Sequence, residues 1–111
     1  MANTFTDDRG KIKDLFVNDD YAITRVTFKK GAIRGNHYHK ETIQVDFILD
    51  GELIFKTDKT EEKVSRGSVL STPQGTPHAY KALTDASLLT ICFGVRKGED
   101  YSKDTYKKKI L

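Results

Sequence analysis

Residues 31–51 read GAIRGNHYHKETIQVDFILDG. His37 and His39 stand two apart in a strand-like stretch. On a strand, residues i and i+2 point to the same face. On a helix they would diverge by roughly 200°. The strand reading therefore makes the pair two nitrogen donors on one surface. Gln44 follows after a short spacer, and a tight corner there brings it beside the pair. If Gln44 faces inward, alternation sends Asp46 and Ile48 inward too, and Val45, Phe47 and Leu49 outward. The opposite register puts Asp46 in solvent and fills the interior with Val45 and Phe47. Asp50–Gly51 is a hairpin signal.

Working outward, short runs rich in β-branched and aromatic residues recur between Gly, Asp, Asn and Pro. Strands are expected at Tyr21–Lys30, Ile33–His39, Thr42–Leu49, Glu52–Thr57, Glu61–Arg66, Ser68–Ser71, His78–Leu83 and Ser87–Val95. Many short strands at this spacing predict an all-β sandwich or barrel. Asp7–Asp8–Arg9–Gly10 reads as a turn, and Ile12, Leu15 and Phe16 as a short strand or capping turn. Residues 1–20 thus form an N-terminal arm or strand. Residues 97–111 are a polar tail, expected as a short helix or an arm.

The chain has 111 residues, 37% of them hydrophobic, which fits one domain over 1–111. A single cysteine, Cys92, excludes an internal disulfide and fits a reducing compartment. The polar, acidic start Met1–Asp8 has neither the basic nor the apolar region of a signal peptide. No apolar run approaches the roughly 20 residues of a membrane span. We expect a soluble, cytoplasmic protein. The net charge of +3 owes much to Lys107–Lys108–Lys109, a solvated end. No basic stripe with interleaved aromatic residues points to nucleic acid.

The third histidine, His78, follows Pro73–Gln74–Gly75–Thr76–Pro77, a turn-rich stretch suited to a fixed approach. Gly31, His37, His39, Gln44 and Gly51 follow G-x5-H-x-H-x4-[EQ]-x6-G. Gly67, Pro73, Gly75 and His78 follow G-x5-P-x-G-x2-H. A fixed glycine matches by chance only about 7% of the time. These stretches, 31–51 and 67–82, resemble the two motifs of the cupins. Ala82 departs from the asparagine often found there.

The resemblance implies a double-stranded antiparallel β-barrel of the jelly-roll type. It implies one divalent transition metal on His37, His39 and His78, with Gln44 where the family usually has Glu. Zn, Ni, Fe, Mn, Co and Cu are not distinguished by this donor set. A neutral amide oxygen in place of a carboxylate lowers affinity and leaves the ion a stronger Lewis acid. An inward Asp46 needs a partner. It can orient a ligand, restore the charge that Gln44 lacks, or act as a general base. Outward Val45 and Phe47 form an apolar patch. With the way cupins pair, that patch implies a homodimer.

Asp7–Asp8–Arg9–Gly10 is similar to the D-x-R-G opening of sugar-nucleotide cupins. RGNHYHK (34–40) resembles the R-G-x-H segment of dTDP-4-keto-6-deoxyglucose 3,5-epimerases and of nucleotide-sugar 3,4-ketoisomerases. Asp100–Tyr106 resembles the closing D-T-Y segment of the cupin half of capsular-polysaccharide reductase/epimerases. The implied chemistry is proton movement beside a C4 ketone. By this analogy Arg34 holds a diphosphate or substrate oxygen. His37 or His39 is the base in a metal-free site, and Asp46 or Tyr80 in a metal-loaded one. Tyr38 alternates away from the pair and is not assigned a catalytic role. Three functions stay open: a sugar isomerase or epimerase, a metal-dependent oxygenase, and a non-catalytic module binding a sugar or other small ligand.

Overall fold

The computed structural model describes residues 4–94 and 104–111. It is built of strands β1 (Thr4–Asp7), β2 (Gly10–Val17), β3 (Tyr21–Phe28), β4 (Ile33–Tyr38), β5 (Ile43–Asp50), β6 (Glu52–Thr57), β7 (Glu61–Ser65), β8 (Val69–Thr72), β9 (His78–Ala82), β10 (Ala86–Phe93) and β11 (Tyr106–Lys107). Every expected strand from Tyr21 onward is present, with ends shifted by up to two residues. Val95 lies outside the described residues.

The N-terminal segment is more ordered than a lone strand or capping turn. Asp8–Arg9 is the tip of a β1–β2 hairpin, and β2 carries Ile12, Leu15 and Phe16. The described part of the tail is an arm: β11 adds to the edge of β4.

All pairings are antiparallel. One sheet has the order β1-β2-β3-β10-β5-β8, the other β11-β4-β9-β6-β7. The two sheets form the jelly-roll sandwich, each with its own hydrogen-bonded ladder. Their facing surfaces enclose a core around Phe28, Ile48, Leu53, Phe55, Tyr80 and Leu88. Leu53 and Leu88 are essentially inaccessible. Burying such a side chain contributes about 1.5–3 kcal/mol.

The register sorts the inner face of the larger sheet into rows. Ile12, Val26, Leu88 and Ile48 form an apolar row. Asp14, Thr24, Thr90 and Asp46 form a polar row beside it. Ala22, Cys92, Gln44 and Thr72 form the next. The interior thus runs from a greasy end to a polar one, and the polar end holds the histidines.

Candidate metal centre

β4 and β9 pair as Arg34↔Tyr80, Gly35↔Ala79 and then His37↔His78. Asn36 is the extra residue of a β-bulge, held at φ 55° after Gly35 at φ 97°. The bulge matters for side-chain direction. Arg34 and His37 are three apart and would face opposite ways on a regular strand. One inserted residue turns both inward. Gly35 is required here, because a Cβ would stand 2.7 Å from the His78 carbonyl oxygen.

The three imidazoles converge, and their candidate ligand atoms lie within 4.8 Å of one another. His37 Nε2 is 3.1 Å from His78 Nε2, and His39 Nε2 is 3.1 Å from Gln44 Oε1. Gly75 N–H donates to the His39 carbonyl at 2.6 Å and ties the loop before His78 to the first pair. Tyr38 points away and stacks on Tyr106.

The hydrogen bonds behind the rings assign their protons. His39 Nδ1 meets the Asp104 carbonyl at 3.0 Å, and His78 Nδ1 meets that of Thr76 at 3.3 Å. A carbonyl only accepts, so each neutral ring carries its hydrogen on Nδ1. The Nε2 lone pairs then face inward. On Gln44, the amide nitrogen donates to both oxygens of Asp46, at 3.0 and 3.1 Å, so Oε1 is what faces His39. Lone pairs turned toward one another suit a cation between them. The donor set of three imidazole nitrogens and an amide oxygen, two rings braced by carbonyls, fits a divalent transition ion. Burial, with the neighbouring His78 and His39, pushes His37 down to about 3. Burial, then His39, pushes His78 down to about 4. Both rings are neutral at pH 7, as a ligand must be.

Asp46 faces inward with Gln44 and Ile48, and it is fully buried. Its carboxylate accepts from the Gln44 amide, from the Tyr80 hydroxyl at 2.6 Å and from the Thr90 hydroxyl at 2.7 Å. Burial raises its pKa against these hydrogen bonds. Burial, then the Asp46 charge, pushes Tyr80 up as well. On the other side of β5, Ile43 and Phe47 are exposed.

The histidines open into a cavity of about 570 Å³. Its walls include Phe5, Ile12, Val26, Phe28 and Tyr80, with Arg9 and Arg34 supplying positive charge. Arg34 is 7% exposed, and its Nε has no hydrogen-bond partner among the described residues. Nη2 donates to the Thr27 carbonyl at 3.3 Å and stands 3.8 Å from Asp7. Asp7 is already engaged by Arg9, at 2.6 and 2.8 Å, which holds its carboxyl below the usual value. Two guanidinium groups thus share one carboxylate. Burial and the Arg9 charge both press the Arg34 pKa down, yet a guanidinium stays protonated.

The structure brings together all of His37, His39, Gln44, His78, Asp46, Tyr80 and Arg34. Sequence reasoning passed over Thr90, although alternation with Leu88 and Cys92 on β10 was a usable signal. Asp104 entered only as part of the closing D-T-Y resemblance. Nothing in its local sequence marks it as a partner of His39. Asp100–Lys103 of that segment lie outside the described residues.

A family model for the cupin domain matches residues 24–94. No match is found among curated proteins. Among solved structures, the capsular polysaccharide assembling protein CapF from Staphylococcus aureus superposes with a TM-score of 0.80 at 23% identity. That likeness covers 99% of this chain and 33% of CapF. KdgF from a Halomonas species gives 0.72 at 21% identity, over 79% of this chain and 81% of KdgF. Oxalate decarboxylase from Bacillus subtilis gives 0.81 at 20% identity, over 96% of this chain and 30% of the enzyme. The chain thus spans about a third of CapF and of oxalate decarboxylase. At these identities the likeness shows a shared fold. Among the described residues, no helix is long and apolar enough to cross a membrane.

Proposed function

The chain belongs to the cupin domain family, and on that premise we propose a metal-binding isomerase or epimerase. It holds one divalent transition ion on His37, His39, His78 and Gln44. Its substrate is a small sugar, of the nucleotide-linked kind used in polysaccharide synthesis. The observation that carries this reading is the donor set turned into a cavity whose wall bears Arg34, its Nε unpartnered among the described residues. The likeness to CapF, a capsular polysaccharide assembling protein, supports the substrate class. The Mn(II) centres of oxalate decarboxylase support a metal in this fold.

A bound ion would polarise a ketone oxygen as a Lewis acid. Arg34 and Arg9 receive the anionic group of the substrate, since bidentate donors match phosphate oxygens. With the Nε2 atoms turned to the ion, proton transfer falls to Tyr80 and Asp46. Tyr80 lines the cavity, and its hydroxyl donates to Asp46 at 2.6 Å. An α-proton passes from substrate carbon to the Tyr80 oxygen while the hydroxyl proton passes to Asp46. Return of a proton at the other face, or at another carbon, completes the isomerisation. His37 takes the part of base only in a metal-free site.

A second reading is a sugar-binding module without turnover. It is favoured by the Asp46 carboxylate, whose hydrogen bonds already engage both oxygens. One experiment separates the two. The protein, purified without a histidine tag, is assayed for stoichiometric metal and then for deuterium uptake from D2O into a panel of 4-keto nucleotide sugars. Exchange that disappears in Tyr80→Phe supports the isomerase. Binding without exchange supports the module. Neither metal nor sugar binding would sink both.

The exposed face of the larger sheet carries Ile43, Phe47, Val69 and Phe93, each at least 36% exposed. This reading adds a second copy across that face, since such patches mark association surfaces. A monomeric mass in solution at micromolar concentration refutes the dimer.

A further inference from the structure

The tail does more than cover a sheet edge. It grips the His37–His39 segment on both sides. Upstream, Ile110 N–H and Leu111 N–H both donate to Asn36 Oδ1 at 2.9 Å, and Lys108 N–H donates to the Asn36 carbonyl at 2.8 Å. Asn36 is the bulge residue that turns His37 inward. Downstream, the Asp104 carboxylate accepts the N–H groups of Lys40, Glu41 and Thr42 at 2.9–3.1 Å, and the Thr42 hydroxyl at 2.9 Å. These residues are the corner between β4 and β5, and they set the separation of His39 and Gln44. Asp104 itself is 9% exposed and sits at φ 57°. Its carbonyl takes the third contact, with His39 Nδ1 at 3.0 Å.

We propose that Asp104 is a positioning residue of the histidine cluster, and that the main chain of the strap 104–111, not its other side chains, is a working part of the centre. Its carbonyl holds His39 as the Nδ1–H tautomer and so turns the Nε2 lone pair into the cavity. Its carboxylate holds the corner that keeps Gln44 beside that lone pair. A tail that only protected an edge strand would satisfy β4 backbone groups and touch no ligand. This one satisfies three consecutive corner N–H groups and braces a ring nitrogen. The tautomer claim stands on the metal-free geometry. The affinity claim rests on the metal reading above.

The test uses the full chain with Asp104→Ala, Asp104→Asn and, as a control for tail docking, Tyr106→Ala. The Tyr106 ring stacks on Tyr38 and lies under Lys40, and both of these are outside the four donors. Imidazole nitrogen NMR of the metal-free protein is expected to show His39 protonated at Nδ1 in the parent and a tautomer mixture in Asp104→Ala, which keeps the main-chain carbonyl but loses the carboxylate bonds to the corner that hold it against the ring. Zn(II) affinity, measured by competition with a chromophoric chelator, is expected to fall about 10- to 100-fold in Asp104→Ala. Asp104→Asn, which keeps one acceptor oxygen, should fall less, and Tyr106→Ala should keep the parent affinity. A folded Asp104→Ala with parental tautomer and affinity overturns the proposal. If Asp104→Ala fails to fold, Asp104→Asn decides by the same two readings. A parent that binds no Zn(II) refutes the metal reading instead, and the tautomer measurement then decides alone.

Discussion

The two ends of the interior are built by opposite rules. At the greasy end, Ile48, Leu53 and Leu88 need only be apolar and of the right volume. Each is at most 3% exposed and its contacts have no direction. At the other end, His39, Gln44, Asp46, Tyr80 and Thr90 are buried to a similar degree, yet every one has an assigned partner. A hydrogen-bonded network leaves a donor stranded when one member changes. The greasy end therefore tolerates exchange of shape, and the polar end tolerates almost no exchange of chemistry.

The largest effect should come from emptying the greasy end. Leu53→Ala is expected to cost about 2–5 kcal/mol of stability, and Leu53→Met under about 1.5 kcal/mol. Urea unfolding measures both. Metal affinity of the folded fraction should be unchanged; a parallel loss of affinity would break the distinction between the ends.

Asp46→Asn is the matching change at the polar end. It keeps the volume but sets an amide against the Gln44 amide. We expect about 1–3 kcal/mol of destabilisation. Gln44 should turn over to relieve the clash of donors, taking Oε1 away from His39. Metal affinity then falls about 10- to 100-fold. A variant that loses stability but keeps parental affinity shows that Asp46 does not orient Gln44.

A pH slope belongs to the polar end alone. His37 and His78 titrate at about 3 and about 4 in the fold, against 6.5 in an unfolded chain. Between these values the unfolded chain binds more protons. Stability of the metal-free protein must therefore fall as pH drops from 6.5 toward 4, and these two groups add no slope above that range. Melting temperatures across pH 4–8 should show a shallower fall in His37→Asn than in the parent. Identical slopes would mean that the buried rings are not the titrating groups.

The outer surface offers a second contrast, along β5 itself. Gln44, Asp46 and Ile48 are buried, while Ile43 before them and Phe47 among them are exposed and Val45 is half-buried. That alternation was readable from the residues, because side-chain direction on a strand has period two and is purely local. The hairpin at Asp50–Gly51 was readable for the same kind of reason: it depends on one backbone conformation, and Gly51 adopts it at φ 81°.

What the amino-acid sequence settled about this protein is therefore its periodic part: the strands, the alternation of their faces, and the meeting of His37, His39, Gln44 and His78 implied by two spaced motifs. Three things waited for the tertiary structure. The inward turn of Arg34 depends on a bulge at Asn36, and a bulge inserts one residue into a period of two, which alternation alone does not reveal. The orientation of the Gln44 amide depends on Asp46, Tyr80 and Thr90 meeting across three strands. The tautomer of His39 depends on a carbonyl 65 residues downstream. Hydrogen-bond direction is set by whichever donor or acceptor arrives from elsewhere in the chain, and no local pattern records its arrival.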